Sequence, residues 1–161
     1  MRTKIILLTL LTCMVVSAYA QYNGHCGNFR YSIDGKLISS VDINSGTDKF
    51  HVNTYYKIDN RNGYVWFWIE ESLNGSSKIG KYSVLWSRLS DMDNESAIID
   101  KNDPSSMIVN LSSQKFFFTT SYTAQKKGPQ YEVRSKLPIR FANSQDAAEF
   151  ARELLQNIPK Y

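Results

Sequence analysis

The stretch Leu137–Pro159, LPIRFANSQDAAEFARELLQNIP, changes its hydrophobic period in the middle. As far as Phe141, apolar and polar residues alternate, which is the period-two signature of a half-buried strand. From Ala147 onward, Ala147, Phe150, Ala151, Leu154, Leu155 and Ile158 recur at steps of three and four and form one apolar stripe on a helix. Asn143 or Ser144 stands at the N-cap position, Asp146 and Glu149 lie near the positive end of the helix dipole, and Pro159 stops the run. The spacing predicts a helix over 144–158. Full burial of Phe150, Leu154, Leu155 and Ile158 contributes about 1.5–3 kcal/mol for each side chain before entropy. A contribution of that size makes the helix an expected lid over the open mouth of a curved sheet.

Almost everything upstream reads as strand. Phe29, Tyr31 and Ile33 alternate with Arg30 and Ser32, and Asp34-Gly35 then predicts a tight hairpin into Leu37–Ile43. Lys49–Asp59 places Phe50, Val52, Thr54, Tyr56 and Ile58 on one face and His51, Asn53, Tyr55 and Lys57 on the other. Tyr64–Ser72 is apolar on both faces, with Tyr64, Trp66 and Trp68 opposite Val65, Phe67 and Ile69, and is therefore expected to be central. Ile79–Leu89, two short strands at Ala97–Asp100 and Met107–Leu111, Phe116–Ala124 and a last strand Tyr131–Phe141 complete a meander. The fold class expected is mainly β: a strongly curved antiparallel sheet or barrel of about 7–8 strands, closed by one C-terminal helix.

The first twenty residues carry a different message. Arg2 and Lys4 precede an apolar run from Ile5 to Val16 that is too short to span a bilayer, and Ser17-Ala18-Tyr19-Ala20 supplies small residues at the cleavage positions. Residues 1–20 are thus expected to be a signal peptide, 21–28 a flexible lead-in, and 29–161 one domain in an exported protein, periplasmic or extracellular. Loss of Arg2 and Lys4 lowers the formal net charge from +4 to +2. The largest basic cluster left is Lys126-Lys127, which offers nucleic acid no footprint. No membrane span is expected in the mature chain.

Chemistry is sparse. Cys26 is the one cysteine remaining after cleavage, so an internal disulfide is excluded, and the alternatives are a free thiol or a Cys26-linked dimer of an otherwise monomeric protein. Cys26 with His51, and Asn53 on the same strand face, is the one thiol–imidazole arrangement apart from the adjacent His25. No recognisable motif surrounds it. Glu70 and Glu71 point to opposite faces of a strand and read as ordinary strand-end charges; Asp91–Ser96, DMDNES, lacks the glycine and distal glutamate of a calcium loop. The reading is a non-enzymatic binding or accessory domain without cofactor or metal, its partner a protein or a small apolar ligand. A thiol-dependent enzyme using Cys26 and His51 is the remote alternative.

An antiparallel run ended by "IRFANSQDAAEFARELL" resembles the pleckstrin-homology-like barrel, which includes the EVH1 type, where a terminal helix plugs the barrel. "LWSRLSDMDNESAIID" followed by "MIVNL" also looks like a group of small exported bacterial proteins of unknown function. Lipid-head-group binders of that fold carry several Lys and Arg in the first hairpin, whereas "YSIDGKLIS" has Lys36 alone at its tip. Ligand recognition by an exposed aromatic groove would fall to Tyr64, Trp66 and Trp68. A lipocalin-like barrel, with an apolar cavity and an external helix, is the competing resemblance; its Gly-x-Trp signature is absent, and the nearest text is CGNF at Cys26–Phe29.

Overall fold

The computed structural model describes residues 21–73 and 75–160. The expected signal peptide at 1–20 lies outside the described residues. The chain runs β1 (Tyr22–Cys26), β2 (Phe29–Ile33), β3 (Lys36–Ser45), β4 (Asp48–Asp59), β5 (Tyr64–Leu73), β6 (Ile79–Arg88), a 3-10 turn at Leu89–Asp91, β7 (Ala97–Ile99), β8 (Ser106–Asn110), β9 (Phe117–Thr123), β10 (Gln130–Arg134), β11 (Lys136–Arg140) and α1 (Ser144–Asn157).

The fold is mainly β with one C-terminal helix, and the described strands form two sheets rather than a barrel. The large sheet has the order β10-β9-β6-β5-β4-β3, with the β1–β2 hairpin joined to β6. Its pairings are antiparallel except for one parallel bridge, Cys26 to Ile79, so the sheet is mixed rather than purely antiparallel. The small sheet has the order β11-β8-β7. Closure fails at Ser135. The expected single strand Tyr131–Phe141 divides there into β10, which stays on β9, and β11, which crosses to β8. β3 reaches the small sheet through the Ser39 hydroxyl, which donates to the Arg140 carbonyl, and not through a strand ladder.

Two further expectations change. Asp34-Gly35 is a corner and not a hairpin, because β2 pairs with β1 and β3 pairs with β4. Gly35 serves close packing there: a Cβ on it would meet the Trp68 ring at 2.7 Å. The lead-in at 21–28 contains β1, which pairs with β2 from Tyr22–Ile33 to Cys26–Phe29 around a turn at Gly27-Asn28.

The two faces of the large sheet build two cores. On the inner face Tyr56, Val65, Phe67, Leu85 and Phe117 meet Met107, Val109, Leu137 and Ile139 of the small sheet and Ala147, Phe150, Ala151 and Leu154 of α1. Phe150 sits edge-on to Tyr56, with ring centroids 4.9 Å apart. The helix therefore seals a core between two sheets rather than the mouth of a barrel. The expected span 144–158 is nearly met: α1 ends at Asn157, and the buried Ile158 is its C-cap. On the outer face Cys26, Tyr31 and Ile33 of the hairpin cover Trp68 and Tyr82. The apolar doubling of β5 reflects this three-layer arrangement, since β5 is covered on both sides.

Candidate functional site

The strand register places outer-face side chains in rows that cross the large sheet. One row reads Lys57, Trp66, Trp86, Phe118, Val133 from β4 to β10. The next reads Tyr55, Trp68, Val84, Thr120, Tyr131. A third holds Asn53, Glu70, Tyr82 and Tyr122. The β1–β2 hairpin lies over the third row: the Tyr31 ring stacks on Tyr82 at 3.7 Å and the Phe29 ring on Tyr122 at 3.6 Å. Trp68 is buried as well, beneath Gly35.

The cover stops short of the first row, which is left as an aromatic ladder. Trp66 and Trp86 are 5.8 Å apart between centroids, and Trp86 and Phe118 are 4.7 Å apart with planes 23° from parallel. Tyr64 closes edge-on against Trp86 at 5.5 Å. A ring spacing near the distance between neighbouring strands means that the Trp86 and Phe118 rings face each other along the ladder and turn their edges to solvent. Phe118 is 52% exposed, Tyr131 78% and Val133 56%. Trp86, Phe118, Thr120, Tyr131, Glu132 and Val133 line a shallow trough of about 500 Å³. Contiguous apolar exposure of this kind marks interaction surfaces.

Beneath the hairpin lies a feature that sequence reasoning missed. Glu70 is 1% exposed and is not an ordinary strand-end charge. Its carboxylate accepts from the Tyr31 hydroxyl at 2.5 Å, the Tyr55 hydroxyl at 3.2 Å and the Asn53 amide at 3.4 Å. Burial raises the Tyr31, Tyr55 and Tyr82 hydroxyl pKa values well above the ordinary range, and the neighbouring Glu70 charge raises them further. The neutral Tyr31 and Tyr55 hydroxyls thus serve as fixed donors to the buried carboxylate. Glu71, on the opposite face as expected, pairs with Lys81 at 3.6 Å.

The thiol–imidazole pair is not assembled. Cys26 is 2% exposed, its thiol rests against the Tyr122 carbonyl at 3.4 Å, and burial raises its pKa, which disfavours the thiolate. The Cys26-linked dimer loses its basis with the same burial. β5 and β6 stand between Cys26 and His51, about 14 Å at the usual strand spacing. His51 instead joins Asp42 through Nδ1 at 2.8 Å and Ser40 through Nε2 at 3.1 Å. The order Ser–His–Asp is that of a hydrolase triad. Here the Asp42 side chain is 69% exposed and that of His51 41%, on a strand pair open to solvent. The cluster reads as cross-strand pairing of β3 with β4, Asp42 lying directly opposite His51. In the Asp91–Ser96 loop, Asp91 pairs with Lys115, and Asp93 accepts from the Glu95 amide and the Ser96 hydroxyl.

No protein-family model, no curated protein and no solved structure matches this chain.

Proposed function

We propose that this is an exported, non-enzymatic protein-interaction domain whose partner docks on the aromatic ladder. The observation that carries the reading is the unequal cover of one sheet face: the hairpin covers the Tyr82–Tyr122 row, while the next row grades from the half-buried Trp66 and Trp86 to the exposed Phe118 and Val133. Edge-on rings form a ribbed apolar surface rather than a flat platform, which suits the side chains of another protein better than a planar ligand. Export is retained from the pattern of residues 1–20.

A photo-crosslinking residue at position 118 should capture a protein of discrete mass in cells that export the chain. The same residue at Arg152, on the solvent side of α1, should not. Trp86→Ser should abolish the capture at 118. Equal labelling at both positions would count against the ladder, and covalent labelling of Ser40 by a fluorophosphonate would count against the non-enzymatic reading.

A second reading rests on a groove of about 420 Å³ between the inner faces of β3–β5 and β11, lined by Val41, Ile43, Phe50, Val52, Ile69 and Ile139. It would hold the small apolar ligand of a carrier. An apolar fluorescent probe that binds with one-to-one stoichiometry, is lost in Ile69→Arg and is kept in Phe118→Ser would favour it over the ladder.

A further inference from the structure

The large sheet ends at β10, which contains no lysine, proline or bulge and whose only charges are Glu132 and Arg134. Natural edges are protected by lysine, proline, bulges or covering loops. β10 reads Gln130-Tyr131-Glu132-Val133-Arg134, pairs with β9 without a break in register, and exposes Tyr131, Glu132 and Val133. Its other side is free of a hydrogen-bonded strand among the described residues. We propose that β10 pairs antiparallel with β10 of a second copy of this chain through Glu132–Arg134, about a twofold axis through Val133.

Charge selects that register. With Val133 opposite Val133 of the other copy, Glu132 lies opposite the second copy's Arg134, and Arg134 opposite its Glu132. Two attractive cross-strand pairs result. Within one copy these side chains already meet, Arg134 Nε donating to Glu132 Oε1 at 2.7 Å, so the dimer joins them in a ring of four alternating charges. The twofold register centred on Glu132 would place carboxylate against carboxylate. The one centred on Tyr131 would bring Pro129, which has no N–H, opposite Val133 and would offer no charge pair.

A twofold axis normal to the sheet keeps like faces together. The row Trp66, Trp86, Phe118, Val133 would then continue without interruption into Val133, Phe118, Trp86 and Trp66 of the second copy. The partner surface proposed above would become one ladder spanning both copies. Self-association does not depend on that surface having a partner, so the two proposals fail separately.

Sedimentation velocity on the mature chain, residues 21–161, should show a concentration-dependent monomer–dimer equilibrium. Glu132→Arg should weaken the dimer about tenfold, because both attractive pairs become repulsive. Glu132→Arg combined with Arg134→Glu should restore it. Val133→Cys should give a disulfide-linked dimer under mild oxidation, since Cys26 is buried and the new thiol faces its own copy. Circular dichroism melts matching the parent would show that each variant folds. A strictly monomeric parent would overturn the proposal. So would a dimer indifferent to Glu132→Arg, or one not rescued by the charge exchange.

Discussion

At the scale of single residues, the most consequential side chain is the carboxylate of Glu70. A buried carboxylate needs hydrogen-bond donors, and two of its three come from tyrosine hydroxyls. Tyr31 belongs to the hairpin and Glu70 to β5, so this bond fastens the outer layer to the sheet. Gly24 makes it possible, because a Cβ there would strike the Tyr31 ring at 2.5 Å. Tyr31→Phe keeps the ring and removes the donor. It should lower the opening free energy of the hairpin by about 1.5–3 kcal/mol, the range for a hydrogen bond to a charged group, as read from amide exchange in β1 and β2. The pH dependence has a fixed sign. Hydroxyls whose pKa is raised in the folded state are protonated in both states below pH 10, and above it the unfolded chain ionises first. Stability should therefore be complete below pH 10 and fall as pH rises beyond it. Tyrosinate absorbance should lag an exposed-tyrosine standard, then rise together with the loss of near-ultraviolet circular dichroism. Ionisation of all the tyrosines near pH 10 in a folded protein would contradict the arrangement.

At the scale of elements, α1 shows what the sequence discloses and what it hides. Its boundaries are local chemistry. Asn143 Oδ1 accepts from the Asp146 amide at 2.9 Å, and Asn143 Nδ2 donates to the Asp146 carboxylate at 2.9 Å. Asn143→Ala should cost about 1 kcal/mol, as loss of an N-cap does, and lower the urea midpoint with an unchanged slope; Asn143→Ser, which keeps an acceptor and puts no second carboxylate beside Asp146, should recover most of it. The same kind of local signal revealed most strands, including the two-sided β5. Pairing is not local, and there the reading failed. Tyr131, Val133, Leu137 and Ile139 keep one unbroken alternation, yet the first two face solvent from the large sheet and the last two face the core from the small one. Nothing in that period records the change of sheet at Ser135. Asp34-Gly35 has the composition of a hairpin, but the contact that makes it a corner is with Trp68, thirty-odd residues away in the chain. The ladder is half legible: the two-sided pattern of β5 marks Trp66, whereas Trp86 and Phe118 join it only through the register of β5, β6 and β9.

At the scale of the whole molecule, one sheet serves as wall to two cores of unequal strength. The inner core joins both sheets and the helix and contains the fully buried Phe67, Phe117, Leu85, Met107 and Leu154. The outer core is held by a five-residue hairpin pair, a single bridge to β6, and the stacking of Phe29 and Tyr31. Such asymmetry predicts a hierarchy of opening rather than one all-or-none event. Amides of β1 and β2 should exchange through a sub-global opening, at a lower free energy than those of Val65–Phe67 and Leu85. Tyr31→Phe should lower the first class and leave the second alone. Phe67→Ala should act differently: a large aromatic lost from a packed core costs about 3–5 kcal/mol, a large part of a typical domain's 5–15 kcal/mol. It should depress both classes together, because the hairpin has no floor once the sheet opens. If Tyr31→Phe and Phe67→Ala lowered every amide by equal amounts, the hairpin and the sheet would be one cooperative unit. The layered organisation, with a detachable cover beside an open aromatic row, would then be wrong.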